Sequence, residues 1–310
     1  MASEISFIIP SRNELKNLLW TLQSIFDKCE DDYEVIVVLN QCEQEDHDRL
    51  ARIPHKELKI VRYDDQPSCW QARNKGAEIA EGKYLCLLDS HVMFKSDSLV
   101  NSLHYHREFE GILAYGLNYW LDHPARTLFQ YRWQPEKFWG AWSRRKPEPP
   151  DFRILMSGMN MLIDKKVFEA IGGFHSALGI YGGGEPYIYF KSQMMGYGAR
   201  CVPDFQVYHI AEKRGYSWNG DDLKRNFMIA AYALGGDNSF GVLYDHYFKG
   251  CNEVERYEER LAELRDEAIA TAQADRDKIE ATAKFTVDEI LDDWREYAKV
   301  HGHDIGEWPT

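Results

Sequence analysis

The chain has no long apolar run. In its 310 residues no stretch approaches the roughly 20 consecutive apolar residues that a membrane-spanning helix requires. Its opening segment, MASEISFIIPSRNE, carries an apolar run too short for a signal-peptide core or an anchor. Cysteine is sparse. Cys29, Cys42, Cys69, Cys86, Cys201 and Cys251 are scattered and form no CxxC pair, a pattern that reads as free thiols in a reducing compartment. An excess of positive charge is also missing: 37 Lys and Arg stand against 50 Asp and Glu, for a net charge of −13. Such a chain offers no global attraction to nucleic acid or to an anionic membrane. There is no internal repeat and no low-complexity tract. These absences together predict a cytoplasmic protein, encoded by a cell or a virus, with no membrane partner. They leave its oligomeric state open.

Aromatic residues are abundant. The chain holds 18 Tyr, 15 Phe and 9 Trp within a 44% apolar composition, enough for a large core. The first hundred residues alternate strand and helix signals. Ser6–Pro10 reads as a buried strand, and Ser11 through Glu14 as a capping box opening a helix to about Phe26. Tyr33–Leu39 is a β-branched run typical of a parallel strand. Gln44–Arg52 reads as a helix, Leu58–Tyr63 as a strand, Gln71–Ala80 as a helix and Lys83–Leu88 as a strand. This alternation predicts an α/β fold with a doubly wound parallel sheet. Sheets of that kind bind ligands beyond the carboxyl ends of their strands, which is where Asp89, Ser90 and His91 fall.

Residues 119–150 break the pattern. Eight aromatic residues interleave there with six basic ones (Arg126, Arg132, Lys137, Arg144, Arg145 and Lys146) against three acidic. The segment reads as an excursion from the sheet that ends in a Pro-rich turn. Strand and helix resume at Met159–Ile163 and Asp164–Ile171, followed by the glycine run 182–184, a helix to about Met195, and short strands at Ala199–Val202 and Gln206–Ile210. From about Tyr216 the chain turns helical. Glu253–Ala283 has few large apolar positions, which predicts a mostly solvated helix with modest docking, and Thr286 to Glu289 caps a last helix.

Asp89, His91 and His209 carry the chemistry. A carboxylate and an imidazole one residue apart at a strand end can face one cleft, and this oxygen–nitrogen set suits manganese or a similar divalent cation. On spacing alone, the same residues equally describe a strand-end turn with an N-cap aspartate and a solvated histidine.

Several blocks around these residues resemble the catalytic domain of the polypeptide N-acetylgalactosaminyltransferases, within the wider group of GT-A glycosyltransferases. The resemblance runs in register over Ser3–Tyr216. EISFIIPSRNE with LLWTLQSIF is similar to that family's opening strand and helix. WQARNKGAEIAEGKYLCLLDSHVMF resembles the segment leading into its metal-binding D-x-H. LMSGMNMLIDKKVFEAIGGF, IYGGGEPYIYFKSQMMGYG and VYHIAEKRGY resemble its sugar-site, W-G-G-E-N and V-G-H blocks.

The resemblance implies a GT-A nucleotide-diphospho-sugar transferase core, a Rossmann-like, mostly parallel sheet, over residues 1–216, with a helical extension over 217–310. It implies a retaining, metal-dependent transfer from a nucleotide sugar, UDP-sugar by preference, with Mn2+ or Mg2+ as cofactor. By position it makes Asp89, His91 and His209 the metal ligands. Glu185 contacts the transferred sugar, and Arg73 sits beside the donor diphosphate. The donor site would further draw on Pro10, Arg12, Glu14, Asn40, Ser90, Gly158, Tyr181, Gly183 and Gly184. The chain departs from the pattern at Asn40-Gln41 in place of an acidic pair, at Gly158-Met159 in place of Gly-Gly, at Tyr181 in place of a tryptophan, and at Pro186 in place of an asparagine. Met159 would reshape the pocket, which argues against N-acetylgalactosamine as the sugar. The helical extension stands where that family has a lectin domain.

Residues 119–150 occupy the acceptor side in that family. Trp133, Trp139, Trp142, Arg144 and Arg145 are the candidates to hold an acceptor, since interleaved aromatic and basic groups can stack bases and hold phosphates. They can equally hold a sugar or a peptide, or pack against one another. A hydroxymethylated pyrimidine in DNA is the first expectation for the acceptor. Serine or threonine of a polypeptide, or a saccharide, is the second, and a non-catalytic sugar-nucleotide-binding protein is the third.

Overall fold

The computed structural model describes residues 4–29, 32–95, 105, 109–118, 127–149, 151–210, 214–249 and 254–302. Cys251, Arg126 and the rest of 119–126 in the aromatic–basic excursion lie outside the described residues.

The first half follows the alternation in the sequence. Strands β1 (Ile5–Ser11), β2 (Tyr33–Asn40) and β3 (Leu58–Tyr63) are linked by helices α1 (Leu15–Lys28) and α2 (Gln44–Leu50). Helix α3 (Cys69–Ile79) then leads into β4 (Tyr84–Leu87), and β5 (Val92–Phe94) follows after Asp89. Next come β6 (Gly111–Asn118), a hairpin of β7 (Gln130–Gln134) and β8 (Trp139–Ser143), then β9 (Met161–Asp164), α4 (Lys165–Ala170), α5 (Gly184–Met194) and β10 (Gly198–His209). Helices α6 (Gly220–Lys249), α7 (Val254–Thr282) and α8 (Val287–Val300) close the chain.

Eight strands form one sheet in the order β3-β2-β1-β4-β9-β6-β10-β5. β1, β2, β3 and β4 pair in parallel, as does β6 with β10; β9 and β5 run antiparallel to their neighbours. The two expected short strands after Ala199 are one strand, with a bulge between Cys201 and Gln206. Because β2 and β4 flank β1 on opposite sides, the chain reverses direction across the sheet there. A crevice opens at the carboxyl ends of β1 and β4.

Alternation along β1 divides the core. Phe7 and Ile9 face α1, whose Leu18, Leu22 and Ile25 they meet, whereas Ile8 faces the layer containing α3, α5 and the C-terminal helices. Both layers are buried, so each large side chain contributes roughly 1.5–3 kcal/mol. Under the sheet, Glu34 is buried and accepts from Ser6 Oγ at 2.6 Å and from the Glu81 amide at 2.6 Å, and it pairs with Lys59 at 2.7 Å. Burial would raise its carboxyl, but these partners outweigh burial and hold it below the usual range. Glu34→Ala strands these donors, with an expected loss of about 2–4 kcal/mol in urea unfolding. A change below about 0.5 kcal/mol would show that the cluster does not hold this end of the sheet.

Two expectations need correction. The segment Ser11–Glu14 is not a capping box: Ser11 ends β1, and Glu14 at the α1 N-cap makes no side-chain cap bond, because its carboxylate is turned toward His91. The 253–283 helix is not mainly solvated. Leu261, Leu264, Ala268, Ala272 and Ile279 are buried in the same cluster as α5. The alanines allow close helix–helix approach, so a count of large apolar residues underestimates the stripe. The described part of the excursion is an ordered antiparallel hairpin, Gln130 pairing with Ser143. The Thr286–Glu289 capping box is present as expected.

Candidate active site

Asp89 leaves the end of β4, and its carboxylate is bracketed. Arg73 Nη2 meets Oδ1 at 2.7 Å, while the Asn160 amide donates to Oδ2 at 3.3 Å and accepts from the Asp89 backbone N–H at 3.0 Å. Arg73 is 1% exposed. It also donates to the carbonyls of Leu88 and Cys69, so its guanidinium buttresses Asp89 from the cavity wall. Burial would raise the Asp89 carboxyl, but His91, Arg73 and His209 outweigh burial and hold it down at about 2.

His91 and His209 meet through the ladder between β5 and β10, in which His209 pairs with Val92 and the Ile210 amide donates to the His91 carbonyl at 2.8 Å. Their rings are edge-on at 4.7 Å, and each Nε2 lies 3.9 Å from Asp89 Oδ2. The ligand atoms of Asp89, His91 and His209 all fall within 4.8 Å of one another. That span fits a single divalent cation. Burial, reinforced by His91, depresses the His209 imidazole to about 3, so it is neutral near pH 7 and offers the lone pair a metal requires. One carboxylate and two imidazoles form a donor set suited to manganese.

Glu14 supports this trio. It is buried, with its carboxylate Oε2 3.2 Å from His91 Nδ1 and accepting from Ser90 Oγ at 2.8 Å. Arg214 approaches its other oxygen at 3.6 Å. A carboxylate on Nδ1 leaves Nε2 to the cation and fixes the ring. Glu14→Gln is therefore expected to weaken manganese binding about 10- to 100-fold, as read by manganese electron paramagnetic resonance; unchanged affinity would remove Glu14 from this role.

These groups open into a cavity of about 460 Å³ at the crevice. Pro10, Arg12, Glu14, Asn40, Arg73, Asp89, Ser90, His91, Gly158, Tyr181, Glu185 and His209 all line it, as do Trp139 and Trp142. Glu185 enters from the first turn of α5. Burial pushes its carboxyl up to about 7, and its Oε2 has no hydrogen-bond partner among the described residues. Trp218 stacks on Tyr181 at 5.2 Å and Trp139 meets Tyr181 edge-on at 6.1 Å, giving the mouth an aromatic wall.

Several expected residues have other roles. Asn40 borders the cavity, but its amide donates to the carbonyls of Tyr63 and Gln66 and accepts from the Ser68 amide. It therefore pins the α3 N-terminus rather than reading a base. Gly183 and Gly184 do not line the cavity. Gly183, at φ 77°, abuts the Asn226 carbonyl, and a Cβ on Gly184 would fall 2.5 Å from the Trp70 ring. Trp133 is buried against Phe138 and Phe190, so it presents no face to an acceptor. Arg144 is exposed outside the cavity, and Arg145 donates to the His301 carbonyl at 3.0 Å. Sequence reasoning missed Asn160, Arg214, Tyr216 and Trp218. For Asn160 there was a signal, a polar residue immediately before the apolar strand β9; the other three lie in a segment with no periodicity.

Comparison with known proteins agrees with this architecture. The profile of the family described as Glycosyl transferase family 2 matches residues 6–172. Polypeptide N-acetylgalactosaminyltransferase 5 of Caenorhabditis elegans is 28% identical over 262 residues, covering 73% of this chain and 40% of that protein. Polypeptide N-acetylgalactosaminyltransferase 14 of Homo sapiens is 26% identical over 227 residues, covering 67% of this chain and 41% of that protein. The chain thus spans about 40% of the length of these curated relatives. Among solved structures, GalNAc-T7 with UDP, GalNAc and Mn2+ aligns with a TM-score of 0.64 at 18% identity, over 86% of this chain and 54% of that one. S. aureus TarS 1-349 aligns with a TM-score of 0.59 at 13% identity, over 89% of this chain and 83% of that one. Both share the GT-A fold of a mostly parallel sheet flanked by helices. Because the family profile covers more than half of the chain, including β1 to β4 and the Asp89 metal candidate at their carboxyl edge, the chain belongs to glycosyl transferase family 2.

Proposed function

We propose that the protein is a metal-dependent glycosyltransferase that moves a sugar from a nucleotide diphosphate donor, UDP-sugar by preference, onto a serine or threonine hydroxyl of a polypeptide. The observation that carries this reading is the Asp89, His91 and His209 cluster, held by Arg73, Asn160 and Glu14 at the edge of an aromatic-walled cavity.

A divalent cation, manganese or magnesium, held by those three side chains would supply Lewis-acid charge to the leaving diphosphate. The chain's own residues do the rest by position. Arg73 and Asn160 fix the Asp89 carboxylate from two sides, and Glu14 fixes the His91 ring. Tyr181, Trp139 and Trp218 exclude water from the mouth and offer flat apolar faces to a sugar or peptide side chain. Glu185 is the cavity carboxylate not engaged by these partners. Its carboxyl, raised to about 7 by burial, is placed to hydrogen-bond a sugar or acceptor hydroxyl. Transfer then proceeds with retention by front-face displacement: the acceptor oxygen bonds to the anomeric carbon as that carbon's bond to the nucleotide diphosphate breaks, and the departing phosphate oxygen takes the acceptor proton, with positioning and charge stabilisation supplying most of the rate.

The expectation of a DNA acceptor gives way to the polypeptide. The reported sequence relatives are named for polypeptide transfer. Of the basic–aromatic set, Trp133 is in the core and Arg145 is tied to the C-terminal helix.

The test is a transfer assay with manganese and a panel of labelled nucleotide sugars, offering a Ser/Thr-rich peptide and, separately, hydroxymethylated DNA. Label in peptide that is lost with Asp89→Asn supports the reading. Label in DNA alone would reverse the choice of acceptor, and no donor turnover in either arm would overturn the enzymatic reading. No helix among the described residues is long and apolar enough to cross a membrane.

A further inference from the structure

The segment between α4 and α5 carries Tyr181 into the cavity wall and delivers Glu185 through Gly182, Gly183 and Gly184. A run of three glycines has few conformational restraints of its own, so something must select the conformation in which both side chains reach the cavity. The groups that do so belong to α6, in the helical extension that follows the sheet.

Asn226 on α6 is 1% exposed. Its Oδ1 accepts from the Gly179 amide at 3.1 Å, and its Nδ2 donates to the Tyr181 carbonyl at 2.8 Å. One side-chain amide thus closes on both ends of the tripeptide Gly179–Tyr181, satisfying two main-chain groups at the bend. At Gly183 a Cβ would lie 2.4 Å from the Asn226 carbonyl, so the loop approaches the α6 backbone too closely for any side chain. From the preceding residue, Arg225 Nη1 donates to the Ala177 carbonyl at 3.0 Å. Further along α5, Lys191 pairs with Asp275 of α7 at 3.2 Å, and Tyr187 also donates to Asp275. The extension therefore grips the loop and the helix that follows it, on either side of Glu185. The metal candidates sit on other elements, at the ends of β4 and β10, and α6 makes no hydrogen bond to them among those described.

We propose that the C-terminal helices are part of the catalytic unit, and that Asn226 is a positioning residue that clamps residues 177–184 so that Tyr181 and Glu185 face the cavity. Its effect on turnover rests on the glycosyltransferase reading; its effect on the loop does not. The clamp is built from side chains that leave the cavity untouched, so loosening it alters the wall carrying Glu185 while the metal wall stays intact.

The experiment compares Asn226→Ala with the wild-type chain by hydrogen exchange, manganese binding and kinetics. Arg225→Ala, which removes the bond to Ala177 from a partly exposed position, serves as a second variant in case the buried substitution prevents folding. The expected result is faster exchange confined to the amides of 178–187, unchanged manganese affinity, and a kcat at least about 10-fold lower with a smaller effect for Arg225→Ala. Exchange unchanged over these amides would overturn the clamp. A uniform loss of protection across the sheet, or weakened manganese binding, would also overturn it, by making Asn226 a general fold residue. Loosened exchange with normal kcat would overturn its positioning role. If the wild-type chain turns over no donor while the loop still loosens in the variant, the functional reading fails and the clamp stands.

Discussion

Asp89→Asn is expected to lower kcat/KM at least about 10³-fold and to reduce manganese binding in parallel, while the sheet stays folded. The asparagine keeps the shape and its one carbonyl oxygen can still accept from Arg73, while its amide nitrogen can no longer accept from Asn160, so the variant removes the charge and one weak hydrogen bond. Asp89→Ala goes further. Arg73 is 2% exposed at its side chain and meets Asp89 at 2.7 Å. Removing the carboxylate leaves a buried guanidinium facing carbonyls alone, at a cost of roughly 3–5 kcal/mol of stability. Arg73→Met in the Asp89→Ala background should restore much of that stability without restoring turnover. Urea unfolding of the wild type, Asp89→Ala, Arg73→Met and the double variant gives the coupling, and the transfer assay gives the rate. Full activity in Asp89→Asn, or no stability difference between Asp89→Ala and the double variant, would dissolve the pair as the centre of the site.

Glu185→Gln should do two opposite things: lower kcat by about 10²- to 10³-fold and stabilise the metal-free protein at high pH. The sign follows from burial. In the fold the Glu185 carboxyl is raised to about 7 by burial, against an ordinary value of 4.5. Between those values the folded state binds more protons at this position than the unfolded chain, so stability falls as pH rises through the window and the loss is complete above about 7. Glutamine carries no such penalty. The two proteins should therefore be of similar stability near pH 4, while the variant is more stable by roughly 2–4 kcal/mol near pH 8. Unfolding in the presence of a chelator between those pH values measures the difference. A gap that does not change with pH would mean that Glu185 does not titrate with burial, and unchanged kcat would remove it from the reaction. The expected trade of stability for activity is what a buried, unpartnered carboxyl at a working site produces.

The order of elements in the first hundred residues was legible because β1, β2 and β4 are nearly unbroken apolar runs separated by segments of helical or polar pattern. Asp89 followed from the same reasoning: a carboxylate immediately after a buried strand points beyond the sheet edge. The resemblance of blocks around 69–94, 155–174 and 180–198 carried Glu185, Tyr181 and Gly158 to the cavity they do line. The capping-box reading of Ser11 to Glu14 failed for a physical reason. A glutamate three residues after a serine satisfies the local pattern, but a buried imidazole and hydroxyl at His91 and Ser90 offer it stronger partners. Likewise Trp133 and Trp139 are alike in sequence context. Only the register of the β7–β8 hairpin, which pairs Trp133 with Gly140 and Trp139 with Gln134, puts one in the core and the other at the cavity.

By itself, then, the sequence determined the strands, their parallel start, the carboxylate at the edge and the family, because these are set by local periodicity and by motifs contiguous in the chain. Tertiary structure alone decided which distant groups meet. The antiparallel pairing of β5 with β10 brings His209 beside His91, the insertion of β9 beside β4 sets Asn160 on Asp89, and the packing of α6 on the glycine loop places Asn226 between Gly179 and Tyr181. Each is a contact between segments far apart in the chain, fixed by shape and hydrogen-bond satisfaction in the folded core, and neither propensity nor spacing encodes it.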